Sequence, residues 1–405
     1  FKNLPSGWKV VKLGEISSRV TRRNQDNRCQ NVLTISAQSG LINQTDFFNK
    51  QVASKDLSNY ILLKKGEFAY NKSYSAGYSF GAFKRLKFYE EGVASPLYIY
   101  FKFNDDVCSD FFEFYFDAGQ ANRQIKDIVQ EGARNHGLLN LSIDDFFNIK
   151  IRMPNLDEQK KIAEILSTWD EAINLTINLI ESKKQFKKAL MQNLLTAKIR
   201  FPQFKDEWEE IKLGDFLEEK SDRNTKNIDL VLSVTNKFGF VTQVEYFDKS
   251  VASDNTANYK IVRKGNFAYN PSRINVGSIA LLESYEIGIL SPMYVVFECL
   301  KNLDNRFLKF WFQSHSFMGN LSKYLAGSVR ESLNFNDMKT ISIKLPNLNE
   351  QQKIAEVLTA CDDEINLLNL KLENLKKQKQ GLMQKLLSGN IRTKVKGGKN
   401  VKMDD

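Results

Sequence analysis

The segment PNLDEQKKIAEIL, at residues 154–166, returns as PNLNEQQKIAEVL at residues 346–358. The match continues downstream, because Ile199-Arg200 returns as Ile391-Arg392. A long segment that recurs after each of two stretches of mixed sequence indicates a duplicated unit. The duplication predicts two globular heads on a constant scaffold, an arrangement that suits a target with two halves.

The repeat extends upstream in weaker form. Residues 8–14 and 208–214 share the pattern W-x-x-x-K-L-G, and residues 65–71 and 264–270 share K-G-x-F-A-Y-N. The spacing between copies shrinks along the chain, which locates small insertions and deletions inside the mixed stretches. We therefore expect a constant frame whose surface loops differ between the two copies.

Composition allows two globular cores and excludes several classes of protein. The chain has 405 residues, of which 42% are hydrophobic and 26% are charged, enough for two domains. No apolar run approaches the roughly 18 residues that cross a bilayer, and no signal-peptide pattern opens the sequence. These features predict a cytoplasmic protein without membrane contact.

Metal and nucleophilic chemistry have little support in the sequence. The four cysteines are scattered, form no C-x-x-C pair and are expected to be reduced structural thiols. The two histidines, His136 and His315, stand at non-equivalent places in the two copies. A catalytic triad or metal site repeated in both halves is therefore excluded.

The net charge favours a polyanionic partner without proving one. Lys and Arg outnumber Asp and Glu by 58 to 48, the formal net charge is +10 and the pI is about 9.1. A basic surface is the electrostatic feature that attracts nucleic acid. Many basic proteins bind no nucleic acid, so the net charge favours a nucleic-acid partner but does not identify one.

Each long segment is predicted to be a helix with its own start and stop. Asn155 is placed to cap the first turn, and Glu158 stands three residues later to complete a capping box. Residues 346–350 repeat this pattern. Pro202 after the first segment and Gly389 after the second mark the helix ends.

Apolar residues recur along both segments at spacings of three and four, as in a coiled-coil seam. Lys183, Lys187 and Lys379 interrupt this seam. At about 1.5 Å per residue, a helix of about forty residues forms a rod of roughly 60 Å. The residues assigned to helix pairing are Ile162, Leu166, Trp169, Ile173, Ile180, Leu190, Leu194, Ile354, Leu358, Ile365, Leu368, Leu372, Leu375, Leu382 and Leu386.

We predict that the two helices pair with each other as an antiparallel coiled coil. One such helix alone would expose its apolar stripe, and the chain must return through a whole globular unit between the two helices. The alternative is that each stripe packs on its own globular unit.

The rest of the sequence predicts two α+β domains in a pseudo-twofold internal repeat. Residues 97–101 and 293–297 predict strands of a mostly antiparallel sheet, and residues 109–118 and 305–314 predict a helix in each copy. The predicted organisation is a first globular domain at 1–153, a first long helix at 154–200, a second globular domain at 201–345, a second long helix at 346–392 and a basic tail at 393–405.

Two loops in each domain carry side chains suited to reading DNA. One follows Asn71 and Asn270, and the other spans residues 132–136 and 327–331. Arg and Lys read guanine edges, Asn reads adenine and Ser adapts to either, whereas basic side chains on phosphates position the protein. The alternative is that each is a solvated turn residue. The candidates are Lys72, Ser73, Tyr74, Arg134, Asn135, His136, Ser272, Arg273, Asn275, Ser328 and Arg330 for bases, and Lys84, Arg85, Arg123, Lys126 and Lys323 for phosphates.

Catalysis by this chain is not indicated. Residues 269–272 read Tyr-Asn-Pro-Ser, which approaches the Asn-Pro-Pro-aromatic motif of amino-methyltransferases but lacks the second proline and the aromatic residue. The copy at 70–73 reads Tyr-Asn-Lys-Ser. No glycine-rich cofactor loop and no G-x-x-x-x-G-K-[ST] phosphate loop is found. We expect no enzyme activity, metal or cofactor in this chain.

Together, the doubled PNL-x-EQ helix starts and W-x-x-x-K-L-G openings resemble the specificity subunits of type I restriction-modification enzymes, over the whole chain up to about Lys394. The resemblance implies that 1–153 and 201–345 are target-recognition domains, each reading one half of a bipartite, asymmetric site on double-stranded DNA. It implies that the paired helices set the unspecified spacer and dock two modification subunits. Those subunits would bring S-adenosylmethionine and methylate adenine, while separate motor-nuclease subunits would use ATP and magnesium.

Two other functions stay open at this point. A two-headed coiled-coil adaptor without a DNA role would show the same repeat and seam. A fused restriction-methylation enzyme is a third possibility, but 405 residues without catalytic motifs argue against it.

Overall fold

The computed structural model describes residues 4–36, 40–48, 56–73, 78–129, 139–243, 255–325 and 332–394. The chain forms two compact units. The first comprises Phe1–Thr176 with Lys371–Asp405, and the second comprises Ile177–Leu370. Each unit therefore holds one globular domain, part of the long helix that follows it, and part of the other long helix.

The first domain is a mixture of short strands and short helices. Its helices are α1 (Leu13–Ile16), α2 (Gln44–Phe48), α3 (Ser109–Asp117), α4 (Asn122–Ile128) and α5 (Ile143–Phe147), with a 3₁₀ turn at Gln25–Asn27. Its strands are β1 (Lys9–Lys12), β2 (Ser17–Arg19), β3 (Leu33–Ser36), β4 (Gly40–Asn43), β5 (Ile61–Lys64), β6 (Phe68–Asn71), β7 (Ala82–Arg85), β8 (Glu91–Ala94), β9 (Ile99–Phe103) and β10 (Lys150–Met153). The first long helix, α6, spans Leu156–Leu194.

The second domain repeats this order. Its helices are α7 (Asn305–Gln313), α8 (His315–Met318), α9 (Leu321–Leu325) and α10 (Phe335–Lys339), with 3₁₀ segments at Leu213–Asp215 and Pro271–Val276. Its strands are β11 (Glu209–Lys212), β12 (Leu217–Glu219), β13 (Leu232–Thr235), β14 (Gly239–Thr242), β15 (Lys260–Arg263), β16 (Phe267–Tyr269), β17 (Ile279–Leu281), β18 (Ile287–Leu290), β19 (Val295–Cys299) and β20 (Ser342–Leu345). The second long helix, α11, spans Leu348–Leu387.

Both domains are built on one antiparallel sheet plan, so the predicted α+β class is confirmed. Strands β2, β9, β6 and β7 form a four-stranded sheet in that order, and β12, β19, β16 and β17 form the same sheet in the second domain. Strand β1 pairs with β10, with Lys9 opposite Met153, and β11 pairs with β20, with Glu209 opposite Leu345. Each domain therefore ends beside its own beginning, where its long helix departs.

Equivalent aromatic pairs form the centre of each core. Phe68 stacks on Phe101 with ring centroids 5.3 Å apart, and Phe267 stacks on Phe297 at 5.1 Å. All four side chains are buried, and each such burial stabilises the fold by roughly 1.5–3 kcal/mol relative to exposure. The K-G-x-F-A-Y-N repeat thus marks one of the two inner strands of each sheet.

The predicted caps are present, but the capping glutamates have other partners. The Asn155 side chain accepts from the Glu158 amide at 2.9 Å, and the Asn347 side chain accepts from the Glu350 amide at 3.0 Å. The Glu158 carboxylate accepts two hydrogen bonds from Arg392, both at 2.8 Å. These bonds replace the return bond of a capping box, because the arginine offers a charged bidentate partner.

The second unit contains the equivalent arginine pair. Arg200 donates to the Glu350 carboxylate at 2.9 and 2.7 Å, and the Trp208 indole donates to it at 3.2 Å. The glutamate side chain is 1% exposed. The repeated Ile-Arg that follows each long helix therefore supplies the arginine that neutralises the start of the other helix.

The helix ends differ from the prediction in one of the two copies. Helix α11 ends at Leu387, and Gly389 adopts a left-handed conformation with φ +77° beyond it, as expected for a glycine stop. Helix α6 already ends at Leu194, well before Pro202, and Ala197 adopts φ 57°. A left-handed alanine is strained, and nothing in the local sequence predicts it.

Interhelical ion pairs show that α6 and α11 run antiparallel within each unit. In the second unit, Lys183 pairs with Glu364 at 2.7 Å and Lys187 with Asp362 at 2.6 Å. Residue numbers thus rise along α6 as they fall along α11. In the first unit, Lys379 pairs with Asp170 at 2.5 Å. The predicted antiparallel pair is confirmed.

The residues assigned to helix pairing are buried or partly buried. Ile162 and Leu166 pack with Leu386 in the core of the first unit, so the seam also joins the globular core at its ends. The buried members are Ile162, Leu166, Ile180, Leu194, Ile354, Leu358, Ile365, Leu372 and Leu386, and the partly buried members are Trp169, Ile173, Leu190, Leu368, Leu375 and Leu382. Among the described residues, no helix is both long and apolar enough to span a membrane.

Candidate nucleic-acid interface

The first candidate loop leaves the same point of the sheet in both domains. Asn71 ends β6, and its side chain accepts from the Ser73 amide at 2.9 Å. Asn270 follows β16 and accepts from the Ser272 amide at 3.0 Å. This local hydrogen bond fixes the turn in both copies, while the residue after the shared asparagine changes from Lys72 to proline.

A matched backbone bond ties the start of the first candidate loop to the same later segment of the chain in both domains. In the first domain the Leu139 amide donates to the Lys72 carbonyl at 2.9 Å, and in the second the Leu333 amide donates to the Pro271 carbonyl at 3.2 Å. Leu139 and Leu333 lie three and two residues after the candidate stretches 132–136 and 327–331. The beginning of the first candidate loop therefore contacts the chain that follows the second candidate stretch, and that stretch itself lies outside the described residues.

The second domain presents its first loop as a short 3₁₀ segment, Pro271–Val276. Ser272, Arg273 and Asn275 are exposed on it, whereas Ile274 is fully buried in the domain core. Gly277 ends the segment at φ +82°. The arrangement anchors the loop through one apolar side chain and leaves three polar side chains facing solvent.

Two loop candidates of the first domain are among the described residues. Lys72 and Ser73 are half-buried at the beginning of the loop. Six candidates lie outside the described residues, and they are Tyr74, Arg134, Asn135, His136, Ser328 and Arg330.

Lys84 and Arg85 are occupied by acidic partners on α3. The Lys84 ammonium lies 2.8 Å from the Asp117 carboxylate, and its side chain is 11% exposed. Burial alone would lower the pKa of Lys84, but the charge of Asp117 and its hydrogen bond outweigh burial, so the pKa lies above its usual range. Arg85 pairs with Asp110 and lies 3.8 Å from Glu113. The positions of Lys84 and Arg85 favour a role in packing α3 against the sheet over a role in contacting DNA phosphates.

Three other basic candidates are exposed at the surface of the described part of the chain. Arg123 and Lys126 are exposed on α4, and Lys323 is exposed on α9 in the corresponding region of the second domain. Each helix directly precedes the second candidate loop in its domain. Exposed cations that precede a candidate base-reading loop in the sequence are suited to phosphate contacts.

Sequence reasoning missed an exposed apolar residue at the tip of each sheet. Leu97 is 71% exposed and Met293 is 60% exposed, at equivalent places in the repeated Ser-Pro-x-Tyr turn before β9 and β19. The Asn270 side chain lies 3.5 Å from the Met293 sulfur. In the second domain, exposed Met293 therefore borders the first candidate loop. The repeated Ser-Pro-x-Tyr turn was the sequence signal that could have identified this exposed apolar residue in both domains.

The described residues contain no group of three or more His, Cys, Asp or Glu side chains that could hold a metal ion. Burial raises the pKa of the Tyr70 and Tyr269 hydroxyls well above the usual range, so both are neutral core groups beside the loops.

A family model and two curated relatives match this chain. The family model described as type I restriction modification DNA specificity domain matches twice, at residues 5–182 and 205–377. The type I restriction enzyme MjaVIII specificity subunit of Methanocaldococcus jannaschii is 26% identical over 330 residues, which is 75% of this chain and 76% of that protein. The putative MjaX specificity subunit of the same organism is 28% identical over 279 residues, 61% of this chain and 60% of that protein.

Solved structures share the fold. The HsdS subunit from Thermoanaerobacter tengcongensis has a TM-score of 0.52 at 17% identity, covering 96% of this chain and 98% of that one. The type I restriction-modification S subunit from M. genitalium has a TM-score of 0.53 at 14% identity, covering 95% and 97%. A chain from a structure described as the basis of complex assembly and conformational transition of the type I R-M system has a TM-score of 0.57 at 17% identity, covering 96% and 100%.

The two family matches cover most of the chain and coincide with its internal repeat. Each match takes in one domain and much of the long helix that follows it. The chain therefore belongs to the family of type I restriction-modification DNA specificity proteins, and its role is DNA specificity rather than catalysis.

Proposed function

We propose that each domain reads one half of a bipartite, asymmetric site on double-stranded DNA. The observation that carries the proposal is the matched pair of backbone bonds, Leu139 to Lys72 and Leu333 to Pro271. An identical frame holds different side chains in the two domains, so the two surfaces would read different sequences. In the second domain, Ser272, Arg273 and Asn275 are the base-contact candidates, and Ile274 holds them in place.

Phosphate contacts would come from basic side chains beside these loops. Arg123 and Lys126 on α4 and Lys323 on α9 are exposed. Such contacts position a protein on DNA without specifying sequence. Lys84 and Arg85 contribute to the stability of the first domain in this account.

The long helices would set the spacer between the two half-sites. Helices α6 and α11 contain 39 and 40 residues, and they pair antiparallel in each unit. A paired helix resists bending more than a loop does, so its length is a fixed quantity to which a DNA gap can be matched. Adding residues to one helix would therefore change the spacer.

The same helices would dock two modification subunits. On the parts of α6 and α11 that belong to the second unit, five large apolar side chains stay exposed after the seam is formed: Ile177, Leu179, Phe186, Leu367 and Leu370. Exposed apolar side chains on these helices are candidate anchors for a partner protein. The modification subunits would bring S-adenosylmethionine, and motor-nuclease subunits joined through the complex would use ATP and magnesium.

Selection from random duplex DNA tests the proposal. The chain, purified with its modification subunits, is expected to enrich a motif of two short sequences separated by a constant gap, with binding that weakens as salt rises. A Ser272→Ala, Arg273→Ala, Asn275→Ala triple variant is expected to lose one half of the motif and keep the other. Binding without sequence preference, or no salt-sensitive binding, would instead support the adaptor function.

A further inference from the structure

The lysines that interrupt the apolar seam are held in matched sites in the two units. In the second unit, the Lys187 ammonium lies 2.6 Å from the Asp362 carboxylate and 5.0 Å from the ring centroid of Phe310 on α7. Its side chain is 16% exposed. We call these three residues the Lys187 layer.

The first unit contains the equivalent arrangement. The Lys379 ammonium lies 2.5 Å from the Asp170 carboxylate and 5.2 Å from the ring centroid of Phe114 on α3. Its side chain is 18% exposed. We call these residues the Lys379 layer. Lys187 and Lys379, like Asp170 and Asp362, occupy corresponding positions of the repeated helix, so the arrangement was duplicated with the fold.

A charge in an apolar seam is a poor source of stability. A partly desolvated ion pair is often no better than a well-packed apolar pair of the same size. In coiled coils, however, a single polar seam residue selects one register, because other registers leave it without a partner. The aromatic ring of each layer further restricts where the ammonium can lie.

The layers discriminate sharply between registers. Sliding one helix by three or four residues moves a lysine by about 4.5–6 Å relative to its carboxylate, far beyond hydrogen-bonding distance. In the second unit it would then face the apolar seam beside Leu358 or Ile365. Lys183 and Glu364 form a further pair there, but Leu375 replaces the lysine in the other copy, so this pair is not duplicated.

We propose that Lys187 and Lys379 are positioning residues that fix the register of the antiparallel helix pair, and thereby the length of the spacer between the half-sites. The proposal rests on the proposed function of the helices as the spacer-setting element. It concerns which register is chosen, whereas the apolar seam supplies the stability.

The test replaces both seam lysines by an uncharged side chain of similar length, as Lys187→Met with Lys379→Met. The matched control is Lys184→Met with Lys376→Met. These two lysines are also equivalent in the repeat, but they are exposed and pair within their own helices, with Glu181 and Glu373. Each variant is expressed with its modification subunits, and methylated sites in genomic DNA are mapped by sequencing.

The seam variant is expected to methylate sites with the same two half-sequences at additional gap lengths. The fraction of such sites should rise by roughly tenfold for each layer removed, while the melting temperature stays equal or increases. The control should keep the single wild-type gap. A seam variant with one unchanged gap overturns the proposal, whether its melting temperature falls or not.

If the seam variant methylates no sites, a charge exchange tests the proposal instead. Lys187→Asp with Asp362→Lys reverses one pair while keeping its register, and it should restore the wild-type gap, whereas Lys187→Asp alone should not. Failure of the exchanged pair to restore methylation overturns the proposal. If wild-type chain yields no bipartite motif, the proposed function fails instead, so the two failures are distinct.

Discussion

Ile274→Ala tests how the first candidate loop of the second domain is held in place. Ile274 is fully buried in the domain core, between exposed Arg273 and Asn275. Replacing a buried isoleucine by alanine costs about 2–5 kcal/mol, through lost burial and the cavity that remains. Taking about 3 kcal/mol, a unit the size of Ile177–Leu370 should melt about 6–12 °C lower.

The assay is differential scanning calorimetry of the whole chain, followed by binding to DNA that carries the full bipartite site. Val276→Ala is the matched control, because Val276 lies in the same 3₁₀ segment and is 55% exposed. It should change stability by less than about 0.5 kcal/mol. Ile274→Ala should also weaken recognition of one half-site, since the three polar side chains lose their anchor.

Equal melting temperatures for the two variants would refute the packing argument. A clear loss of stability with unchanged discrimination at both half-sites would refute the link between Ile274 and recognition.

Three further predictions concern caps, base contacts and phosphate contacts. Asn155→Ala and Asn347→Ala should each destabilise the chain by about 1 kcal/mol, as measured by thermal melting, and unchanged melting would exclude a capping role. Arg273→Ala should weaken binding to the specific site by about 5–150-fold at one half-site without affecting random DNA in fluorescence anisotropy; equal losses on both would make it a phosphate contact. Arg123→Ala should reduce the slope of log affinity against log salt by about one, whereas Arg85→Ala should leave that slope unchanged and lower the melting temperature.

Local signals predicted the long helices well because helix periodicity and caps are local. The PNL-x-E start placed the N-cap at Asn155, and the seam spacing predicted that the two helices pair. The antiparallel direction followed from the globular unit that the chain must cross between them. The end of α6 at Leu194 was missed, since the left-handed Ala197 carries no sequence signature. The partner of Glu158 was missed for a different reason: Arg392 is distant in sequence, and only the repeated Ile-Arg after each helix pointed to it.

The domains were predicted in class but less well in detail. Residues 97–101 were assigned to a strand, but β9 begins at Ile99, because Ser95 and Pro96 form a turn that leaves Leu97 exposed. Lys84 and Arg85 looked like free cations in the sequence, yet acidic side chains of α3 neutralise them. Sequence alone shows charge but not the neighbours that the fold supplies.

The central claim is that each domain reads its own half-site on a shared frame. The most direct measurement is methylation sequencing of host DNA after residues 1–153 are exchanged for the corresponding domain of another specificity protein of this family. The account predicts that one half-sequence changes while the other half-sequence and the spacer stay the same. Unchanged methylation sites, or a change in both half-sequences, would contradict it.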